Sequence, residues 1–162
     1  ICASIDDVVV HGFPSDRPIK EGEIVSIDVG AFYQGFNGDA ARSFYVGNID
    51  PEKKRLIEVT KQCFFEGIKG ICVGSAIGDI GYQVQTYAES NGFSVVREMV
   101  GHGVGRQLHE DPEVPNYGRK GTGMRLRENM TIAIEPMINM GGHEVIIDGW
   151  KCVTRDGKPS AH

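Results

Sequence analysis

Residues 24–44 read IVSIDVGAFYQGFNGDAARSF, a run rich in β-branched and aromatic side chains that carries two aspartates, Asp28 and Asp39. Aspartate is disfavoured in strands and costly to desolvate alone, so two of them within one apolar hairpin call for a compensating cation. If the chain reverses in a two-residue turn centred on Tyr33 and Gln34, Asp28 falls directly opposite Asp39, with Cβ atoms roughly 5 Å apart. A bulged turn with Gly35 in the left-handed position shifts the register by one and still leaves the carboxylates neighbours. Like charges across a ladder repel, whereas divalent ions about 3.5–4 Å apart would be clamped by such a pair. A metal site is therefore the first expectation.

The strand pattern extends outward from this hairpin. Residues 4–11 and 23–46 read as strands, broken by turn signals at Pro14-Ser15-Asp16 and Gln34-Gly35. The period then changes: Asp50 and Pro51 form an N-cap and first-turn pair. Leu56, Ile57, Thr60, Cys63, Phe64, Gly67, Ile68 and Ile71 recur at helical spacing until Gly74. A second amphipathic helix is expected from Ser75 to Ser90, with Ile77, Ile80, Val84, Tyr87 and Ala88 on one face and Asn91-Gly92 as its stop. After residue 92 short strands return, in FSVVREMV, TIAIEPMIN, HEVII and GWKCVT, while the Pro-, Gly- and charge-rich stretch 111–129 reads as a loop outside the core. Strands, two consecutive helices and strands again give an α+β order, with helices on a mainly antiparallel sheet.

At 162 residues and 40% hydrophobic content the chain suits one globular domain, residues 1–162. Its 17 basic and 22 acidic residues are spread along the sequence, which argues against a nucleic-acid surface built from a basic stripe. No run of eighteen apolar residues points to a membrane span, and the start lacks the pattern of a signal peptide. Cys2, Cys63, Cys72 and Cys152 show no CxxC spacing and read as reduced thiols of a cytoplasmic protein. The chain opens on Ile1 in place of Met, as a portion of a longer protein would.

Further candidates lie downstream. His102 stands in Gly101-His102-Gly103-Val104-Gly105, where the absence of neighbouring side chains lets an imidazole project into a crowded site. His109 follows seven residues later and His11 ends the first strand, so both could reach the same end of the sheet. Glu135, in TIAIEPM, shares a strand face with Thr131 and Ala133, and Pro136 holds its backbone extended. Oxygen-rich ligation with one imidazole admits Mn(II), Fe(II), Co(II) or Zn(II) and excludes thiolate-type structural zinc.

The ordered set of Asp28, Asp39, GHGVGRQLHEDPEVPNYG, IAIEPM and DGWKCVTRDGKPSAH resembles the type I methionine aminopeptidases, of the pita-bread fold, over essentially the whole chain. The resemblance implies Asp28, Asp39, His102 and Glu135 as four of five ligands of two divalent ions, with Asp39 bridging. It also implies His11 and His109 as substrate-contacting histidines, and Cys2, Leu108 and Trp150 as part of the pocket for a methionine side chain. Hydrolysis would use water activated by the metals, Glu135 as proton shuttle and His109 as oxyanion donor. The implied partners are nascent peptide N-termini beginning with Met, with transient ribosome association. The family's fifth ligand, a glutamate in a Tyr-Glu motif, normally follows Ser160 to His162 directly. The family's N-terminal portion would precede Ile1, so these 162 residues alone are expected to be inactive. Family turns usually carry Pro-Gly where Glu128-Asn129 stands here. Two other readings stand beside this one: a pita-bread peptidase cleaving next to proline, and a metal-free pita-bread binding protein.

Overall fold

A computed structural model describes residues 1–162. The central hairpin forms from β3 (Ile24–Tyr33) and β4 (Phe36–Tyr45), with β1 (Cys2–Ile5) on the other side of β3. Its turn is Gln34-Gly35, with φ of 49° and 86°, the paired left-handed conformation that favours glycine at the second position and matches the twist of the strands. The turn thus lies one residue further on than expected, and the register moves by two. Asp28 pairs with Ala41 and Asp39 with Gly30. Positions 28 and 30 share a face, so the two aspartates are diagonal neighbours on one side of the sheet and not directly opposed.

Asp50 caps α1 (Pro51–Ile68), its carboxylate accepting from the backbone N–H groups of Glu52 and Lys53. The helix stops six residues short of Gly74 because Gly70 takes a φ of 71° just past its end; Ile71 is outside it. The second helix, α2 (Ile77–Ser90), begins two residues later than its pattern suggested, with the Asp79 carboxylate accepting from Ala76 N–H at 2.8 Å. Leu56, Val59 and Cys63 of α1 pack with Ile77, Ile80 and Val84 of α2 against Ile24, Val114 and Ile138 from the strands. A smaller cluster of Val9, Val10, Val96, Met137 and Cys152 lies apart from it.

Every strand pair is antiparallel, and the pairing is divided among four three-stranded sheets. Besides β1-β3-β4 these are β10 (Val145–Asp148), β11 (Lys151–Thr154) and β2 (Val8–Val10); then β12 (Ser160–Ala161), β9 (Ile138–Asn139) and β5 (Ser94–Val95); and finally β7 (Glu110–Val114), β6 (Gly101–Gly103) and β8 (Ile132–Ala133). The expected first strand is split in two at Asp6, whose φ is 48°. The stretch 111–129 is not wholly a loop outside the core. It begins inside β7, where Pro112 and Val114 face inward between exposed acidic residues, and Asn116 just beyond is fully buried. Asn129, with φ 64°, supplies the left-handed turn conformation where the resemblance leads one to expect glycine.

The glycines around His102 have a steric cause. Strand β6 is sandwiched between β7 and β8, and a Cβ on Gly101 would run into the Ala133 carbonyl while one on Gly103 would run into that of Asp111. Gly101→Ala and Gly103→Ala should therefore each destabilise the fold by about 1–3 kcal/mol through forced strand separation. Chemical denaturation of the two variants beside a control, Gly142→Ala, where the same atom meets open space, checks this.

Candidate metal centre

Two sheets and a connecting segment deliver side chains to one place. Asp39 comes from the hairpin, His102 from the middle of β6, and Glu135 from the segment between β8 and β9. One ligand atom from each lies within 4.8 Å of the other two. His102 Nε2 stands 3.0 Å from Glu135 Oε1 and 3.4 Å from Asp39 Oδ2. The other ring nitrogen, Nδ1, is 2.8 Å from the Gly103 carbonyl, an acceptor, so the neutral ring keeps its proton there. Nε2 then presents a lone pair to two carboxylates, and Glu135 Oε1 is buried with no hydrogen-bond donor. Converging acceptors with no donor between them form the donor set of a divalent cation. The carbonyl-bonded imidazole has the tautomer such a ligand needs.

Asp28 stands beside this triad on the same sheet face, next to Asp39. Burial and then the neighbouring Asp39 charge hold its carboxyl above the usual range. Burial, followed by Asp39 and Asp28, pushes Glu135 up to about 8. The repulsion expected from the hairpin is therefore present among all three acids, although Asp28 lies outside the tight triad. A cation would remove it.

The remaining sequence candidates border the centre. Asn37 on β4 donates to the carbonyls of Gly105 and Arg106, which ties the segment after β6 to the hairpin. That segment returns His109 edge-on to His102, with ring centroids 4.4 Å apart. Leu108 lies over Gly30, where a Cβ would come within 3.2 Å of it. Cys2 pairs with Asp28 across β1 and β3, and burial raises its thiol pKa, with Asp28 the next cause. His11, at a φ of 62°, stacks on the exposed Trp150 ring at 5.1 Å.

His162 carries a role that the sequence reading assigned to no residue. Its Nε2 is 3.7 Å from Glu135 Oε2, and burial, with His11 next, pushes its pKa down to about 4. Ser26 and Ser43, paired across the hairpin and bonded to one another at 2.7 Å, hold it in place. Ser43 Oγ donates to the His162 carbonyl and accepts from its N–H, both at 2.8 Å. The available signal was Ser26, Asp28 and Gly30 alternating along β3, which marks a polar face. Asn116, whose amide donates to the Glu135 carbonyl at 2.7 Å, was likewise missed.

These shifts predict how the metal-free chain responds to pH. Glu135 binds its proton more tightly folded than unfolded, so it weakens the fold as pH rises from about 4.5 to about 8. His162 acts oppositely, favouring the fold as pH rises from about 4 through 6.5. The two oppose one another below 6.5 and only Glu135 acts above it. The melting temperature of the metal-free protein should therefore fall between about pH 6.5 and 8, and Glu135→Gln should flatten that fall in thermal melts followed by circular dichroism.

Several known proteins resemble the chain along its whole length. The chain is 53% identical over 164 residues to a methionine aminopeptidase of Clostridium perfringens, covering 100% of this chain and 66% of that protein. The crystal structure of methionine aminopeptidase from Rickettsia prowazekii superposes with a TM-score of 0.96 at 48% identity, over 99% of this chain and 66% of that one. The pita-bread architecture expected from the resemblance is thus the one found. A prolidase from Pyrococcus furiosus, 24% identical with a TM-score of 0.75, shares the fold alone. The chain spans about 66% of the length of the aminopeptidases it resembles. With residues 1–156 matching its family model, the chain belongs to the metallopeptidase family M24.

Proposed function

We propose that this chain carries the active centre of a methionine aminopeptidase, releasing Met from the N-termini of nascent polypeptides. The observation that carries the reading is the triad of Asp39, His102 and Glu135, three acceptors facing one point with Asp28 beside them. Those four residues would hold two divalent ions, of which Mn(II), Fe(II), Co(II) and Zn(II) all suit the donor types. When bound, the ions supply Lewis acidity and make water nucleophilic near neutral pH.

The chain's own groups do the rest. Glu135 takes a proton from the attacking water and passes it to the leaving amine. His109, packed against His102, donates to the oxygen of the scissile carbonyl as charge develops there. Cys2, Leu108 and Trp150 border the space for the methionine side chain, and His11, stacked on Trp150, contacts the substrate backbone. Only the terminal residue is cut, because its free amine is the group that the acidic cluster and its ions can bind. No helix is long and apolar enough to cross a membrane, and we place the protein in the cytoplasm with newly made chains as its substrates.

The test uses the complete source protein and a short peptide beginning Met-Ala. His109→Ala should lower kcat on the order of a hundredfold or more while bound metal, measured by elemental analysis, stays unchanged. Cleavage of an Xaa-Pro peptide in preference to Met-Ala would favour the prolidase reading instead. A polypeptide of residues 1–162 alone should release no Met and gain little melting temperature from Mn(II), and full activity from it would overturn the expectation of a fifth carboxylate ligand.

A further inference from the structure

Glu135 sits in a segment with few tethers of its own. Strand β8 ends at Ala133, held by His102 on β6, and Met137 is held through its carbonyl by Val96 N–H at 3.0 Å. Between them, Ile134, Glu135 and Pro136 take part in no backbone-to-backbone hydrogen bond. Pro136 has no N–H to give, so the peptide joining it to Glu135 offers only a carbonyl. That carbonyl is taken by the Asn116 side chain, 19 residues earlier, at 2.7 Å.

The orientation of this amide is fixed, because only its nitrogen can donate to a carbonyl. Asn116 is fully buried, and its Oδ1 has no partner. A residue serving the core alone would avoid that cost, since leucine has much the same shape without an orphaned acceptor. Pro136 keeps the Glu135 backbone extended but leaves the tilt of the peptide plane free. The Asn116 bond sets that tilt and, through it, the direction of the Glu135 Cα–Cβ bond towards His102 and Asp39.

From this geometry we propose that Asn116 is a positioning residue for the metal centre, aiming the Glu135 carboxylate by clamping its backbone carbonyl. The inference deepens the aminopeptidase reading and rests on it for its catalytic readout. Displacing a catalytic carboxylate by about 1 Å is enough to cost on the order of a hundredfold in rate, so a single backbone bond can matter here.

The test compares Asn116→Leu, Asn116→Asp and Asn116→His in the complete source protein. Leu and Asp fill the site without an N–H; His restores a ring N–H at about the reach of the amide. Loss of an outer-shell partner typically weakens a metal site by about 10–100-fold. Calorimetry should show Mn(II) binding weakened by about tenfold or more in the Leu and Asp variants, with His within about threefold of the original. In release of Met from a Met-Ala peptide, kcat should fall by a similar factor while KM stays within about twofold. Melting of the metal-free proteins shows which variants fold. Folded variants with unchanged Mn(II) affinity and kcat would overturn the proposal, as would a loss confined to melting temperature. If neither Leu nor Asp folds, Asn116 serves the fold and the proposal fails. If the unaltered protein binds Mn(II) but releases no Met, the aminopeptidase reading fails, and the Mn(II) affinities alone then decide the role of Asn116.

Discussion

Three carboxylates and a lone pair share one small, half-buried space, and that crowding is the constraint around which the rest of the chain is arranged. Burial and the neighbouring carboxylates raise the affinity of Asp28 and Glu135 for protons, and the Nδ1 of His102 is engaged by the Gly103 carbonyl. Left to itself such a cluster opposes folding. The hydrophobic cluster between the two helices and the strands supplies the cohesion that holds it together. The same frustration that weakens the empty site gives it affinity for a cation, since binding removes repulsion as well as forming bonds.

Holding side chains from two sheets and the segment between β8 and β9 in place demands a framework with little play. The β6 strand is the clearest instance: it has partners on both sides and glycines at both ends, so His102 is the one side chain that a tightly flanked strand projects into the site. Asn37 then draws the following turn against the hairpin, which links the position of His109 to that of Asp39 two residues away on the same strand. The paired serines Ser26 and Ser43 extend the polar face of that sheet beyond Asp28 and receive the His162 backbone. Each tether is a neutral hydrogen bond, so the site's geometry is secured without adding charge to a place that already has too much.

Much of this could be read from residue types alone. Aspartates in an apolar run, a histidine among glycines and a glutamate before proline are each anomalous for the element they occupy, and anomalies of that kind mark sites. The register of the hairpin was misplaced because the turn depends on which residues take positive φ. The Gln34-Gly35 pair satisfies the rule for such turns, whereas Tyr33-Gln34 does not. Strand β7 escaped notice because its exposed positions are acidic and one inward position is a proline, which together mimic a loop. His162 was signalled only through the polar alternation of β3 and Asn116 by nothing periodic: what distinguishes both is burial and a partner far along the chain.

The Ser43–His162 contact joins residues separated by 119 positions. A ribosome delivers the hairpin long before it delivers the segment that lies against it, so the polar face of β3 and β4 waits, half-finished, while both helices and three further sheets emerge. Non-local closures of this sort slow folding, because the intervening loop must be gathered first. They also impose an order on folding. The acidic face can be assembled early, but its histidine-capped side is completed only when nearly all of these residues are in place.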